Sequence, residues 1–427
     1  VTLSWLSIVR LGLVQMCLGA IVVLTTSTLN RLMVVELALP AVLPGALVAL
    51  HYGVQITRPN WGFLSDTGGH RTRWIIGGMA VLGAGALIAA AAIPLLDTNF
   101  AAGLGISILA YALIGLGVGA SGTSLLALLA TATAPHRRAA AATITWLMMI
   151  FGIAVTAGVV GGLLDPYSPA RLLVIVAAVC AIALVLTIVA TFRIERGLIA
   201  RPEPDPMPFR EGLAEVWAEP KARAFTLFVF LSMTAYFMQE LILEPYAGLV
   251  FAFTPGQSTS LSGAQNGGVF VGMLIVGIMA TGFRFGALRD WVVAGCVGSA
   301  AALCAIGLLG QTGANLLVPA TVALGVFNGM FAVAAIGSMM ALAGEGRGAR
   351  EGTRMGLWGA AQAIAAGFGG LTGAAAVDIA RTLTTDATAF GLVFAAEAVL
   401  FVAAAVMAAR IMEGRTAAPQ FRGEAHV

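Results

Sequence analysis

A chain of 427 residues that is 59% hydrophobic and 10% charged, with 53 glycines and a mean hydropathy of +0.95, excludes a water-soluble domain and reads as a polytopic membrane protein. The formal charge of +3 is nearly all arginine, Lys221 being the only lysine, and carries no nucleic-acid signal. Cys17, Cys180, Cys296 and Cys304 lie in apolar runs without a C-x-x-C pair, which gives neither a disulfide framework nor a metal site.

A bilayer core of roughly 30 Å takes about 20 apolar residues per helix, and the chain supplies about twelve such runs. The first, "VTLSWLSIVRLGLVQMCLGAIVVL", has no basic n-region and no small-residue cleavage site, so it is expected to remain as a span. Spans are expected to begin near residues 10, 37, 74, 101, 138 and 170, then near 223, 261, 290, 314, 351 and 388. Residues 1–193 make an N-terminal six-helix half and 223–413 a C-terminal half. Between them, "RIERGLIARPEPDPMPFREGLAEVWAEPKAR" is too charged and proline-rich for lipid, so 194–222 is a cytoplasmic linker; 414–427 is a cytoplasmic tail.

Ionisable residues within spans are costly unless they face a partner or a cavity. Arg31 and Glu36, at the outer end of the first helix, are placed to pair with each other or across to the seventh. On the seventh, Glu240 and Glu244 are one turn apart and share a face, and Pro245 and Tyr246 are expected to end the helix. These residues are either a proton or cation site or an interhelical brace in which Arg31 neutralises an acid of the second half. The brace is favoured, because a lone arginine at a helix end is easily paired or snorkelled. In the second span His51, Gln55 and Arg58 align along one face that continues to Gly62. A neutral imidazole at that depth suits axial ligation of a chlorin magnesium, with Gln55 or Arg58 bonding a ring carbonyl or ester. The alternative is a histidine satisfied by a neighbouring helix.

All but four of the 23 basic residues (Arg31, Arg58, Arg171 and Arg381) fall at the N-terminus, in even-numbered loops, in the linker or in the tail. That bias marks the cytoplasmic side and puts both termini there. The opposite loops carry Asp97, Asp165, Asp378 and Asp386. A shift of 212 residues lays "RAAAATITWLMMIFGIAVTAGVVGG" on "REGTRMGLWGAAQAIAAGFGGLTGA", matching Arg138 to Arg350, Trp146 to Trp358, Gly158 to Gly370 and Gly161 to Gly373; Gly117 also meets Gly329. An all-α membrane protein of twelve transmembrane helices in two parallel six-helix halves is the architecture of the major facilitator superfamily. Glycine strings such as "GLGVGASG" (Gly115–Gly122) and "GFGGLTG" (Gly367–Gly373) then read as close-packing helix faces.

"GFLSDTGGHRTR" resembles the loop after the second helix in that superfamily, with Gly62, Asp66, Arg71 and Arg73 in the places that control how the halves lock, and Thr67 where a basic residue is usual. "LNRLMVVELALPA" (from Leu29), "LHYGVQITRPNWGFLSD" (from Leu50) and "MQELILEPYAGLVFAFTPGQSTSLSGAQNGGVFVGML" (from Met238) resemble the PucC/LhaA group, the bacteriochlorophyll-delivery branch of the superfamily. The resemblance implies an integral factor of the inner (intracytoplasmic) membrane of a phototrophic bacterium, assisting pigment delivery and light-harvesting complex assembly. It further implies bacteriochlorophyll or a precursor bound as cargo, with light-harvesting apoproteins and pigment-synthesis enzymes as partners.

Enzymatic chemistry has no signature here. The seven aspartates are scattered singly, without the D-x-x-x-D that holds magnesium against a pyrophosphate, and there is no H-E-x-x-H, nucleophile elbow or Walker-type loop. A secondary transporter of a small amphipathic solute is the alternative function. The charge bias generates a test of topology: a reporter fused after His426, or inserted between Pro202 and Pro208, is expected to read cytoplasmic, and periplasmic activity at either place overturns the orientation.

Overall fold

The computed structural model describes residues 2–57, 70–134, 137–196, 214, 217–344 and 351–412. Eleven of its helices are long and apolar enough to cross a membrane, with Val42–Val54 a shorter apolar helix. In chain order they are α1 Trp5–Glu36, α2 Val42–Val54, α3 Arg71–Thr98, α4 Phe100–Ala132, α5 Arg138–Leu164 and α6 Pro169–Thr191. The second half holds α7 Pro220–Phe251, α8 Pro255–Val276, α9 Leu288–Thr312, α10 Leu317–Gly344, α11 Glu351–Leu383 and α12 Asp386–Ile411. The twelve runs expected from hydropathy are therefore twelve helices. The 194–222 linker is described only in part, and the 414–427 tail lies outside the described residues.

Three starts differ from the expectation by five residues or more: α1 begins at Trp5 and not near 10, α2 at Val42 and not near 37, where Asp378 accepts its first N–H groups, and α8 at Pro255. Ser4 accepts the Ser7 N–H and opens α1 at Trp5. Thr254 and Gln257 form a capping box with Pro255 at the first helical position, so α8 starts at Pro255 and not near 261.

Each half has its own apolar core. One is built on residues such as Leu11, Ile21, Leu82, Tyr111 and Ile114, the other on Phe225, Phe228, Phe331, Trp358, Phe394 and Phe401. The packing repeats: α1 meets α5 and α6 as α7 meets α11 and α12, α2 meets α4 as α8 meets α10, and α3 meets α4 and α6 as α9 meets α10 and α12. Across the halves, α5 packs on α8, α2 on α11 and α1 on α7. The α5–α8 crossing is close enough that a Cβ on Gly161 would fall 2.6 Å from the Ser260 nitrogen, and one on Gly263 would fall 2.7 Å from the Gly158 nitrogen.

The two ends of this bundle differ. Among the described residues, the hydrogen bonds that cross between the halves lie toward the end carrying the loops after odd-numbered helices, hereafter the odd-loop end. Two of these contacts are related by the internal repeat. Asp165, just after α5, accepts from the Thr254 hydroxyl and, at 3.0 Å, from the Gly256 N–H at the start of α8. Asp378, near the end of α11, accepts the Ala41 and Val42 N–H groups at the start of α2, at 2.9 and 2.7 Å. Each carboxylate sits on the positive end of a helix in the other half and satisfies donors that have no intrahelical partner.

Because both oxygens of each carboxylate are used, Asp165→Ala or Asp378→Ala strips two contacts at once. Each is expected to destabilise the purified protein by about 1–3 kcal/mol in chemical unfolding, while Asp97→Ala, at an exposed position, changes it by under about 0.5 kcal/mol. Equal effects at all three sites would reduce the caps to ordinary surface charges.

Candidate functional site

The seam between α1, α7 and α8 is where the polar side chains converge. It begins with the run "TTSTLN", Thr25–Asn30, every residue of which is buried. Within α1 the backbone loosens into π-helical turns over Leu24–Thr28 and Leu32–Glu36, a device that re-aims side chains and frees carbonyls near functional positions. The Thr25 carbonyl accepts the Tyr111 hydroxyl of α4 at 2.8 Å. Ser27 and Ser262 share a hydroxyl contact at 3.3 Å, as do Thr28 and Thr259 at 3.2 Å.

Pro245 does not end α7, which runs on to Phe251. A proline within a helix removes the N–H that would bond the carbonyl four residues earlier, here Leu241. That carbonyl accepts the Asn30 amide from the other half at 2.7 Å. The proline leaves no unsatisfied carbonyl there, because the other half supplies the missing donor.

Arg31 is 2% exposed and forms an ion pair with Glu36 of its own helix. The rest of its guanidinium crosses the seam, donating to the Phe253 carbonyl at 2.7 Å and to the Ser258 hydroxyl at 3.3 Å. The Phe253 carbonyl is held in place by the turn that ends α7: Ala252 is left-handed (φ 56) and the Phe253 N–H returns six residues to the Ala247 carbonyl at 3.1 Å. Ala38 ends α1 in the same way, with φ 51 and the Leu39 N–H on the Met33 carbonyl at 3.0 Å. Arg31 thus braces the halves through a carbonyl and a hydroxyl. The acid it pairs with is Glu36, and neither Glu240 nor Glu244 lies within ion-pair distance of it.

Those two carboxyls line a small polar cavity of about 20 Å³ together with Ser27, Tyr236, Gln239, Leu243, Ser262, Gln265 and Asn266. Glu244 is 2% exposed, and neither of its oxygens has a hydrogen-bond partner at bonding geometry among the described residues; the same holds for Gln239 Oε1. Glu240 is half-buried.

His51 and Gln55 lie outside this cavity. They meet through their Nε2 atoms at 3.2 Å, and His51 is 1% exposed. The His51 ring stands edge-on to Tyr52 with centroids 4.7 Å apart, and Tyr52 continues to Phe237 of α7 at 5.9 Å. Its backbone is pressed against α4, where a Cβ on Gly115 would fall 2.6 Å from the His51 carbonyl oxygen. Arg58, Gly62 and Asp66 lie outside the described residues. Arg71 and Arg73 open α3, whose first N–H groups, at Arg71 and Thr72, are accepted by Glu195 at 2.9 and 3.2 Å.

Sequence reasoning missed Ser27, Thr28, Asn30, Gln239, Ser258, Thr259 and Ser262 as seam residues. Hydroxyl and amide side chains recurring inside an apolar span were the available signal. It also missed Glu397, fully buried in α12 with neither oxygen hydrogen-bonded among the described residues.

Comparison with known proteins gives the lineage of this seam. Residues 28–416 match the family described as PUCC protein. The chain is 68% identical over 419 residues, 98% of both sequences, to the "Bacteriochlorophyll synthase 44.5 kDa chain" of Rhodobacter capsulatus. It is 29% identical to "Protein PucC" of the same organism, over 95% of this chain and 92% of that one. Among solved structures it resembles a D-xylose–proton symporter (TM-score 0.73, 15% identity, 95% and 97% coverage) and the nucleoside transporter NupG (TM-score 0.71, 13% identity, 95% and 100% coverage). Those two likenesses establish a major facilitator fold. With a match that spans nearly the whole chain and a relative identical at two positions in three, the chain belongs to the PUCC protein family.

Proposed function

We propose that this protein is a multi-pass membrane factor of a phototrophic bacterium that handles (bacterio)chlorophyll and assists its delivery during light-harvesting complex assembly, without catalysis of its own. The observation that carries this is the 68% identity, over 98% of the chain, to a relative whose name ties it to bacteriochlorophyll. The word "synthase" in that name does not bring a reaction with it, since the aspartates are scattered singly, without the D-x-x-x-D that holds magnesium against a pyrophosphate. The protein acts in the inner (intracytoplasmic) membrane with both termini cytoplasmic. Its partners are light-harvesting apoproteins and pigment-synthesis enzymes.

A second function, secondary transport of a small amphipathic solute, is favoured by one observation: a polar cavity lies between the two halves of a transporter fold. The two separate by experiment. In the pigment role, a clean deletion is expected to lower assembled antenna while unrelated uptake stays intact, and affinity purification from phototrophic cells recovers antenna or pigment-synthesis polypeptides. Normal antenna in the deletion strain, with solute flux in vesicles from a non-photosynthetic host, would establish the transporter instead.

The pigment role has a specific contact in view. His51 supplies an axial ligand to a chlorin magnesium, with Gln55 or Arg58 bonding a ring carbonyl or ester. With the ring 1% exposed and its Nε2 on Gln55, ligation requires Gln55 to swing aside. His51→Phe, which keeps bulk and removes the lone pair, is expected to strip or blue-shift co-purified pigment while the protein stays inserted and abundant. His51→Asn should retain part of the pigment. A parental spectrum in both variants assigns His51 to the α2–α4 packing alone.

A further inference from the structure

The cavity between α1, α7 and α8 gathers several oxygen acceptors, three of them buried and without a partner among the described residues. Glu244 contributes two oxygens and Gln239 one, all buried and without hydrogen-bond partners among the described residues. Glu240 lies one turn from Glu244, and both carboxyls line the same space. The hydroxyls of Ser27 and Ser262 face each other at 3.3 Å. The Asn266 amide nitrogen is taken up by the Ser262 carbonyl at 3.0 Å. Arg31, the nearby cation, is occupied by Glu36, Phe253 and Ser258.

Carboxylate, amide and hydroxyl oxygens around one small space are the ligand set of a hard cation. A single proton would place one donor on Glu244 and leave the other acceptors unanswered. A central cation draws several oxygens at once and neutralises charge that is expensive at membrane depth. At about 20 Å³ the cavity admits one water-sized occupant. That disfavours magnesium, which dehydrates reluctantly and keeps several waters in its shell.

We propose that this cavity is a binding site for a small dehydrated monovalent cation, held by Glu244, Glu240 and Gln239 with the Ser27 and Ser262 hydroxyls. Because α1 comes from one half and α7 and α8 from the other, an occupied site ties the halves together on the same seam as Arg31 and Asn30. The site is independent of pigment and of the pigment role.

The test uses full-length protein purified from a host that makes no pigment, with its thermal unfolding midpoint followed in the chlorides of sodium, potassium, magnesium and N-methyl-D-glucamine at equal ionic strength. Sodium is expected to raise the midpoint by several degrees and to saturate, with little response to magnesium. Glu244→Gln and Gln239→Leu are expected to abolish the sodium response, and Glu240→Gln to weaken apparent affinity roughly tenfold, the worth of one charge-assisted contact. Should Glu244→Gln fail to fold, Gln239→Leu and radioactive sodium binding to the parent protein carry the same test. A midpoint indifferent to the cation overturns the proposal. So does a sodium response that persists in Gln239→Leu and Glu244→Gln, or stabilisation that follows acidification alone.

Discussion

The bond from the Asn30 amide to the Leu241 carbonyl, 2.7 Å long, expresses the constraint on which the structure depends. Inside a bilayer no water stands ready to satisfy a backbone group, so every interruption of a helix must be answered by protein. Pro245 interrupts α7, and the answer comes from the other half of the molecule. The same logic recurs along the seam. The π-helical turns of α1 offer the Thr25 carbonyl, and Tyr111 takes it; the left-handed turn after α7 offers the Phe253 carbonyl, and Arg31 takes it. Helix irregularities are thereby converted into contacts between helices and between halves.

The internal repeat makes the exceptions informative. Counted back from the left-handed alanines that close α1 and α7, Ala38 and Ala252, Asn30 and Glu244 hold the same position, and Arg31 corresponds to Pro245. The two halves therefore meet with unlike groups at like places. Pro245 frees a carbonyl and Asn30 has a donor for it. Arg31 keeps its own backbone N–H, and Glu244 is itself an acceptor, so the mirror contact cannot form. Glu244, without such a partner, lines the cavity instead. The caps at Asp165 and Asp378 show the opposite case, in which both halves kept a carboxylate for the facing helix N-terminus.

How much of this was legible in the sequence follows from the range of each interaction. Helix number and order came through because burial in lipid demands long apolar runs, a local property. Helix ends shifted where a cap intervened, as at Ser4 and Thr254. The glycine register found the matching helices but not their contacts: Gly117 packs on Leu82 of α3, whereas its counterpart Gly329 packs on Val269 of α8. Arg31 and Glu36 were visible as a pair because charge in a span is rare. The hydroxyl and amide residues that complete the seam were not, since a serine or threonine in a membrane helix bonds its own preceding turn as readily as a neighbour. Thr226, Ser232 and Thr234 of α7 do that here, each to the carbonyl four residues back. Of the four arginines that break the charge bias, three have local partners: Arg31 on Glu36, Arg381 on Asp386 at 2.8 Å, and Arg171 on the Leu163 and Asp165 carbonyls. Bonded in this way, they weigh less against the charge bias from which a cytoplasmic placement of the termini is expected.

Size separates the two chemistries proposed for this molecule. Pockets for drug-sized ligands run to roughly 300–1,000 Å³, and a chlorin with its hydrocarbon tail is larger than most drugs. The cavity between α1, α7 and α8, at about 20 Å³, is far smaller than such a pigment. In the proposed pigment role, contact falls to the outer surface of the bundle or to the α2 face at His51. On the outer surface the solvent is lipid, and side chains such as Val174, Ile182, Val185 and Val189 of α6 stand exposed. A pigment with an apolar tail already dissolves in that phase. For the proposed guiding role a rigid scaffold with a defined surface is what is needed, and the contacts of the seam supply rigidity.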